Sequence, residues 1–227
     1  RESLGEVLSE EFQPGDADFV TYLPRCPEVA ARSYAKKAEL PFEPVFYKMR
    51  GERSFQGSNA DERKQSIGQN LHLLPGMAQK IKGKTVILLD DSIVRGNNSK
   101  RARDLLYEEA GVEKAYLVSY TPPIGIIGDD GVPRGCTFGV DMPPDPPSGD
   151  EFIARNRTVA EVGQAMEMPV VYLSMEGMLK AFERAGLPER DLCTFCIGGR
   201  MPYEGAGSLI QIGEKPQMDL LAGLKAG

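Results

Sequence analysis

Histidine occurs once in this chain, at His72, and a lone histidine in a linking segment reads as solvated or packed, so it is given no catalytic role. Basic residues are outnumbered, with 27 Lys and Arg against 33 Asp and Glu, for a net charge of -6. That balance argues against a nucleic-acid partner, and an anionic substrate would have to be drawn in by local basic groups. No apolar run approaches the length of a membrane span and no signal peptide is visible, so no membrane partner is expected and the expected location is cytoplasmic. Four cysteines in such a compartment argue against a disulfide framework. The chain opens on Arg1, not Met, and enters an amphipathic pattern directly, so it is expected to be part of something longer. What is present is ordinary for a globular protein: 41% hydrophobic and 26% charged residues, with length for one sizeable core or one domain with an appended lobe.

The most informative stretch is Thr85 to Arg103, TVILLDDSIVRGNNSKRAR. Val86 to Leu89 has the composition of a strand buried on both faces of a parallel sheet. It stops at Asp90 and Asp91. Ser92, Ile93 and Val94 come next, then the polar turn Arg95, Gly96, Asn97, Asn98 and Ser99, then a helical pattern from Lys100 to Glu109. In an open α/β sheet, the loop at the carboxyl end of a strand is where ligands bind. Gly96 permits a backbone conformation closed to other residues, and Asn97, Asn98 and Ser99 supply side-chain donors and a helix cap. Such a loop suits a phosphate. The two acids, expected at the strand end and outside the core, suit sugar hydroxyls or a magnesium ion. Together they suggest a sugar phosphate.

DDSIVRGNNS resembles the phosphoribosyl pyrophosphate (PRPP) motif of the type I phosphoribosyltransferases, in the form nearest to the amidophosphoribosyltransferases, which usually carry two threonines where this chain has Asn97 and Asn98. The fold implied is α/β: a central, mostly parallel sheet flanked by helices, with a small C-terminal lobe. The resemblance covers residues 1 to 204, and the tail from 205 to 227 matches nothing familiar. Other passages fit the same family. DFVTYL, Asp18 to Leu23, reads as the first strand, and the loop after it would hold the PRPP pyrophosphate and its magnesium. The family commonly has an acid and then Ser or Thr there, where this chain has Arg25 and Cys26. PVFYK reads as a second strand, and KMRGERSF resembles the family's mobile loop, with Lys48, Arg50 and Arg53 supplying charge to the leaving pyrophosphate. Leu71 to Lys82 reads as a linking segment, and AYLVSY, from Ala115, as another strand. The DEFIA segment corresponds to a family helix. Val170 to Leu173 reads as the last strand, leading to a helix capped at Ser174. Near the start, Ser3 is the expected cap of the first helix, and Val29, Ala30, Tyr34 and Ala38 are the expected buried face of the second.

Cys193 and Cys196 form a CxxC, a metal or redox signal of middling weight, with free thiols or a zinc site as alternatives. The resemblance adds that some members hold a [4Fe–4S] cluster, and Cys136, Cys193 and Cys196 match three of its four cysteines. The fourth lies N-terminal to where this chain begins, so the cluster belongs to the full-length protein.

The function implied is phosphoribosyl transfer from PRPP to ammonia, giving 5-phosphoribosylamine and pyrophosphate, the first step of purine synthesis. Magnesium would be the cofactor, with Asp90 and Asp91 as its ligands. The partners implied are ammonia or a glutaminase domain, which is absent from this chain, and further copies in a homo-oligomer. A PRPP-binding regulator and a phosphoribosyltransferase with another acceptor are the alternatives.

Overall fold

The computed structural model describes residues 1–49, 70–136, 138, 142–146, 148 and 151–201. Helix α1 (Glu2–Glu11) leads into strand β1 (Phe19–Tyr22), α2 (Glu28–Lys37) and β2 (Phe46–Lys48). After residues 50–69 come β3 (Leu71–Leu73), α3 (Met77–Ile81) and β4 (Thr85–Asp90). The chain continues through α4 (Asn97–Asp104), β5 (Lys114–Ser119), α5 (Val159–Met166), β6 (Val170–Tyr172) and α6 (Met175–Arg184).

Four strands form a parallel sheet in the order β1, β4, β5, β6. Residues 41–43 extend it past β1, since Val20 N–H donates to the Pro41 carbonyl at 2.9 Å and Glu43 N–H to the Val20 carbonyl at 2.9 Å. All six residues of β4 are buried, as its unbroken apolar run requires of a central strand covered on both sides. Alternate side chains feed two cores. Val86 and Leu88 pack with Ala102, Leu106, Val162 and Met166, while Ile87 and Leu89 pack with Leu8, Ala31, Tyr34 and Ala181. Helices α3, α4 and α5 therefore cover one face, and α1, α2 and α6 the other. Helix α1 lies close on α2 at Gly5, where a Cβ would fall 2.0 Å from the Ala30 carbonyl oxygen.

Several local expectations change. Helix α1 begins at Glu2 with Arg1 at its N-cap, so Ser3 lies inside the helix. The buried face of α2 is Ala30, Ala31, Tyr34 and Ala35, with Val29 exposed, because the helix turns its small residues toward the close contact with α1. The supposed linking segment from Leu71 contains β3, paired antiparallel with β2, and the short helix α3. His72 stacks on Tyr47 there, with ring centroids 5.3 Å apart. The described part of the DEFIA segment, Glu151 to Ala154, is not helical. Phe152, Ile153 and Ala154 are buried in irregular and turn structure, and α5 starts only after its cap Thr158, which forms a reciprocal capping box with Glu161.

Candidate active site

The carboxyl ends of the parallel strands gather the polar groups. At the end of β4, Asp90 is only 8% exposed, so it lies in the core, contrary to the expectation that both acids sit outside it. Its Oδ1 accepts a hydrogen bond from Asp91 N–H at 2.8 Å, and its Oδ2 one from the Ser99 hydroxyl at 3.2 Å. Burial, and then the charge of Asp91, push the Asp90 carboxyl well above the usual carboxylate range. Asp91 is half-buried, and its backbone carbonyl accepts from the Thr121 hydroxyl at 3.0 Å.

Beyond the acids, Ser92 is half-buried, while Ile93 and Val94 are buried and have only backbone to offer a ligand. Val94 also spends its carbonyl on Ile153 N–H at 2.8 Å. Arg95 is half-buried, and Gly96 adopts a left-handed conformation, φ +79, which starts α4. Among the described residues no side chain caps this helix. Asn97, Asn98 and Ser99 form its first turn, so their backbone N–H groups, which lack intrahelical acceptors by the geometry of any helix start, line the loop. The expected side-chain cap is replaced by the Ser99 bond to Asp90.

Other elements complete the site. After β1 the Pro24–Arg25 peptide is cis, and Arg25 donates to the Lys48 carbonyl at 3.4 Å. Cys26 faces Asp91: its thiol is pushed up by burial and then by that acid's charge, against the pull of Arg1. The Arg1 guanidinium donates to the Cys26 sulfur at 3.5 Å. Lys48, at the end of β2, is shifted down by burial, and Asp90 opposes the shift while Arg25 reinforces it. Asp90, Asp91, Arg25, Cys26 and Lys48 therefore meet in one place. Arg50 and Arg53 lie outside the described residues.

Three contributors have no signal in a contiguous motif. Arg1 arrives on α1. Tyr120, just past β5, has its phenol raised by burial and then by Asp91. Tyr172, on β6, stands in register with Ser119 and so with Asp90, and its hydroxyl is buried without a hydrogen-bond partner among the described residues. Its residue also lines a cavity of about 520 Å³ with Pro122, Val159, Val170 and Ile197. Position at a strand's carboxyl end is the signal that marks both tyrosines.

No family model matches the chain. Curated relatives do. An amidophosphoribosyltransferase of Archaeoglobus fulgidus is 32% identical over 209 residues, covering 91% of this chain and 42% of that protein. The Bacillus subtilis amidophosphoribosyltransferase is 32% identical over 208 residues, covering 90% and 40%. Among solved structures, glutamine PRPP amidotransferase from B. subtilis complexed with ADP and GMP superposes with a TM-score of 0.67 at 30% identity, over 90% of this chain and 42% of that one. A structure described as the allosteric regulatory enzyme of purine biosynthesis gives 0.69 at 29% identity, over 96% and 44%. Over nine tenths of its own length the chain is similar to amidophosphoribosyltransferases. It spans about two fifths of the length of the curated relatives it matches. Its sheet and flanking helices are the type I phosphoribosyltransferase fold.

Three cysteines of this chain lie in one region. Arg155 ties the loop before Cys136 to its surroundings by donating to the carbonyls of Gly125 at 2.7 Å, Pro144 at 2.7 Å and Arg134 at 2.6 Å. Gly125 N–H in turn donates to the Cys196 carbonyl at 2.9 Å. The Cys196 thiol is pushed up to about 11 by burial and then by Cys136 and Cys193, so the three sulfurs are neighbours. Among the described residues, however, no three His, Cys, Asp or Glu side chains converge to hold a metal ion. No chemistry is assigned here to an iron–sulfur centre. No helix among the described residues is long and apolar enough to cross a membrane.

Proposed function

We propose that this chain transfers the phosphoribosyl group of PRPP to ammonia, releasing pyrophosphate and 5-phosphoribosylamine, as the transferase half of an amidophosphoribosyltransferase. The observation that carries the reading is the meeting of Asp90 and Asp91, the Gly96 loop, and the cations Arg25 and Lys48 at the carboxyl edge of the sheet. The loop N–H groups and the side chains of Asn97 and Asn98 hold the 5-phosphate. Asp90 and Asp91 bond the ribose hydroxyls. Asp91 makes no ion pair among the described residues, and its hard oxygens suit magnesium, which Asp91 and Asp90 would hold. A bound magnesium ion would supply charge neutralisation to the departing pyrophosphate. Arg25 and Lys48 face the same leaving group. As the bond to carbon 1 breaks, positive charge grows on the ribose beside Asp91, so positioning and electrostatics suffice without a protein acid or base.

The test is pyrophosphate release from PRPP with ammonium as the only nitrogen donor and magnesium present. Release that rises with ammonium is expected, with none from glutamine by this chain alone. One observation favours a second reading: Cys26 and Arg25 stand where the family pattern has a hydroxyl and an acid. Tight PRPP binding without any release would assign the chain to PRPP sensing instead.

A further inference from the structure

Three cations gather at the Asp90 and Asp91 pair. Lys48 and Arg25 approach it from β2 and the loop after β1, and a third cation, Arg1, approaches from α1. Arg1 and Arg25 make no ion pair among the described residues. Among the described residues one of the five guanidinium donors of Arg1 is used, on the sulfur of Cys26, a weak acceptor. The charge of Arg1 reaches Cys26 and Tyr120, both of which also feel Asp91, so its head group lies within the site. Its position is fixed from behind. Helix α1 is pressed on α2 at Gly5 and pinned to α6, where Glu11 accepts from Ser174 N–H at 2.9 Å and from the Ser174 hydroxyl at 2.6 Å. A fork of unused donors, held on a rigid helix beside a second guanidinium that has no ion pair, matches a diphosphate, whose oxygens it can engage two at a time.

We propose that Arg1 binds the diphosphate group of the ligand, on the opposite side of Asp91 from the Gly96 loop. This rests on the PRPP reading above and adds a binding residue to it. Arg1 and Arg25 then grip the diphosphate directly, on the side where Cys26 offers magnesium a poor ligand.

The test is titration calorimetry of the full 227-residue chain and its Arg1→Ala and Arg1→Lys variants with PRPP, inorganic pyrophosphate and ribose 5-phosphate. Arg1→Ala is expected to weaken PRPP and pyrophosphate by about tenfold, the scale of one lost charge-assisted hydrogen bond, and to leave ribose 5-phosphate unchanged. Arg1→Lys should fall between, keeping the charge and losing the fork. The Arg1 side chain bonds nothing but Cys26 among the described residues, so both variants should fold as the parent does. Unchanged PRPP affinity in Arg1→Ala, or equal losses for all three ligands, would overturn this role while leaving the transferase reading intact. A parent chain that binds neither PRPP nor ribose 5-phosphate would overturn both.

Discussion

Asp90 is held in the core, in register with Ser119 and Tyr172 on the neighbouring strands, and this placement separates its effect on folding from its effect on activity. A buried acid with a raised value releases its proton later in the folded chain than in the unfolded one. Its contribution to stability therefore worsens as pH rises from the ordinary 3.8 to the raised folded value, and is constant above that. Asparagine removes this penalty and can keep both bonds, its Oδ1 accepting from Asp91 N–H and its amide donating to the Ser99 hydroxyl. Asp90→Asn should thus melt at or above the parent's temperature at pH 7, with the advantage shrinking toward pH 4, as thermal melts across pH would record. Its rate of pyrophosphate release should fall about 10²-fold, because the group aimed at the ribose is gone. A melting temperature lowered at pH 7 would show that the carboxylate holds the fold.

At the scale of elements, the loop from β4 to α4 depends on Gly96. A side chain there meets two obstacles: φ is +79, and a Cβ would lie 2.8 Å from the Met166 sulfur and 3.0 Å from the Ile153 Cδ1. Strain of about 1–2 kcal/mol from the backbone adds to the displacement of α5 and of the turn at Ile153. Gly96→Ala should lower stability by about 1–3 kcal/mol in urea titrations and weaken ribose 5-phosphate binding by more than tenfold, since the N–H groups of the first turn move with the loop. The parts of this region that could be read from sequence were contiguous ones. Strand β4 announced itself by an apolar run with no polar interruption before Asp90, and Ser174 caps α6 through Gly177 N–H at 2.8 Å as its sequence position suggested. Strand β3 did not, because three residues carry no period and its partner β2 is separated from it by residues 49–70. The start of α4 was misplaced because a glycine backbone, not a side chain, begins it. Arg1, Tyr120 and Tyr172 were missed for the same physical reason: each reaches the acids through the tertiary arrangement of a separate element.

Over the whole molecule, the N-terminal segment is fastened to distant elements by a short run of carboxylates. Glu10 accepts from Lys180 at 2.9 Å and from Arg184 at 3.1 and 3.2 Å, Glu11 holds Ser174, and Asp18 accepts from Lys84 at 2.9 Å and Thr85 N–H at 2.8 Å. The bonds from Arg184 and Lys180 lower Glu10 from its usual 4.5 to about 2, and Lys84 lowers Asp18. For acids with depressed folded values, the stabilisation is complete above the ordinary value and is lost as pH falls through the folded one. This slope is opposite to that of Asp90, which relaxes on acidification. The net stability should therefore hold from neutrality down to about pH 4.5 and then decline toward pH 2, where the ties of α1 to α6 are protonated away. Because the Glu10 pairs are exposed, added salt should flatten the decline. Glu10→Gln is the discriminating variant: slightly less stable than the parent at pH 7, it should converge on the parent between pH 4.5 and pH 2, as melts at low ionic strength would show. Parallel curves for the two proteins down to pH 2 would mean that Glu10 does not fasten α1, and with it Arg1, to the rest of the fold.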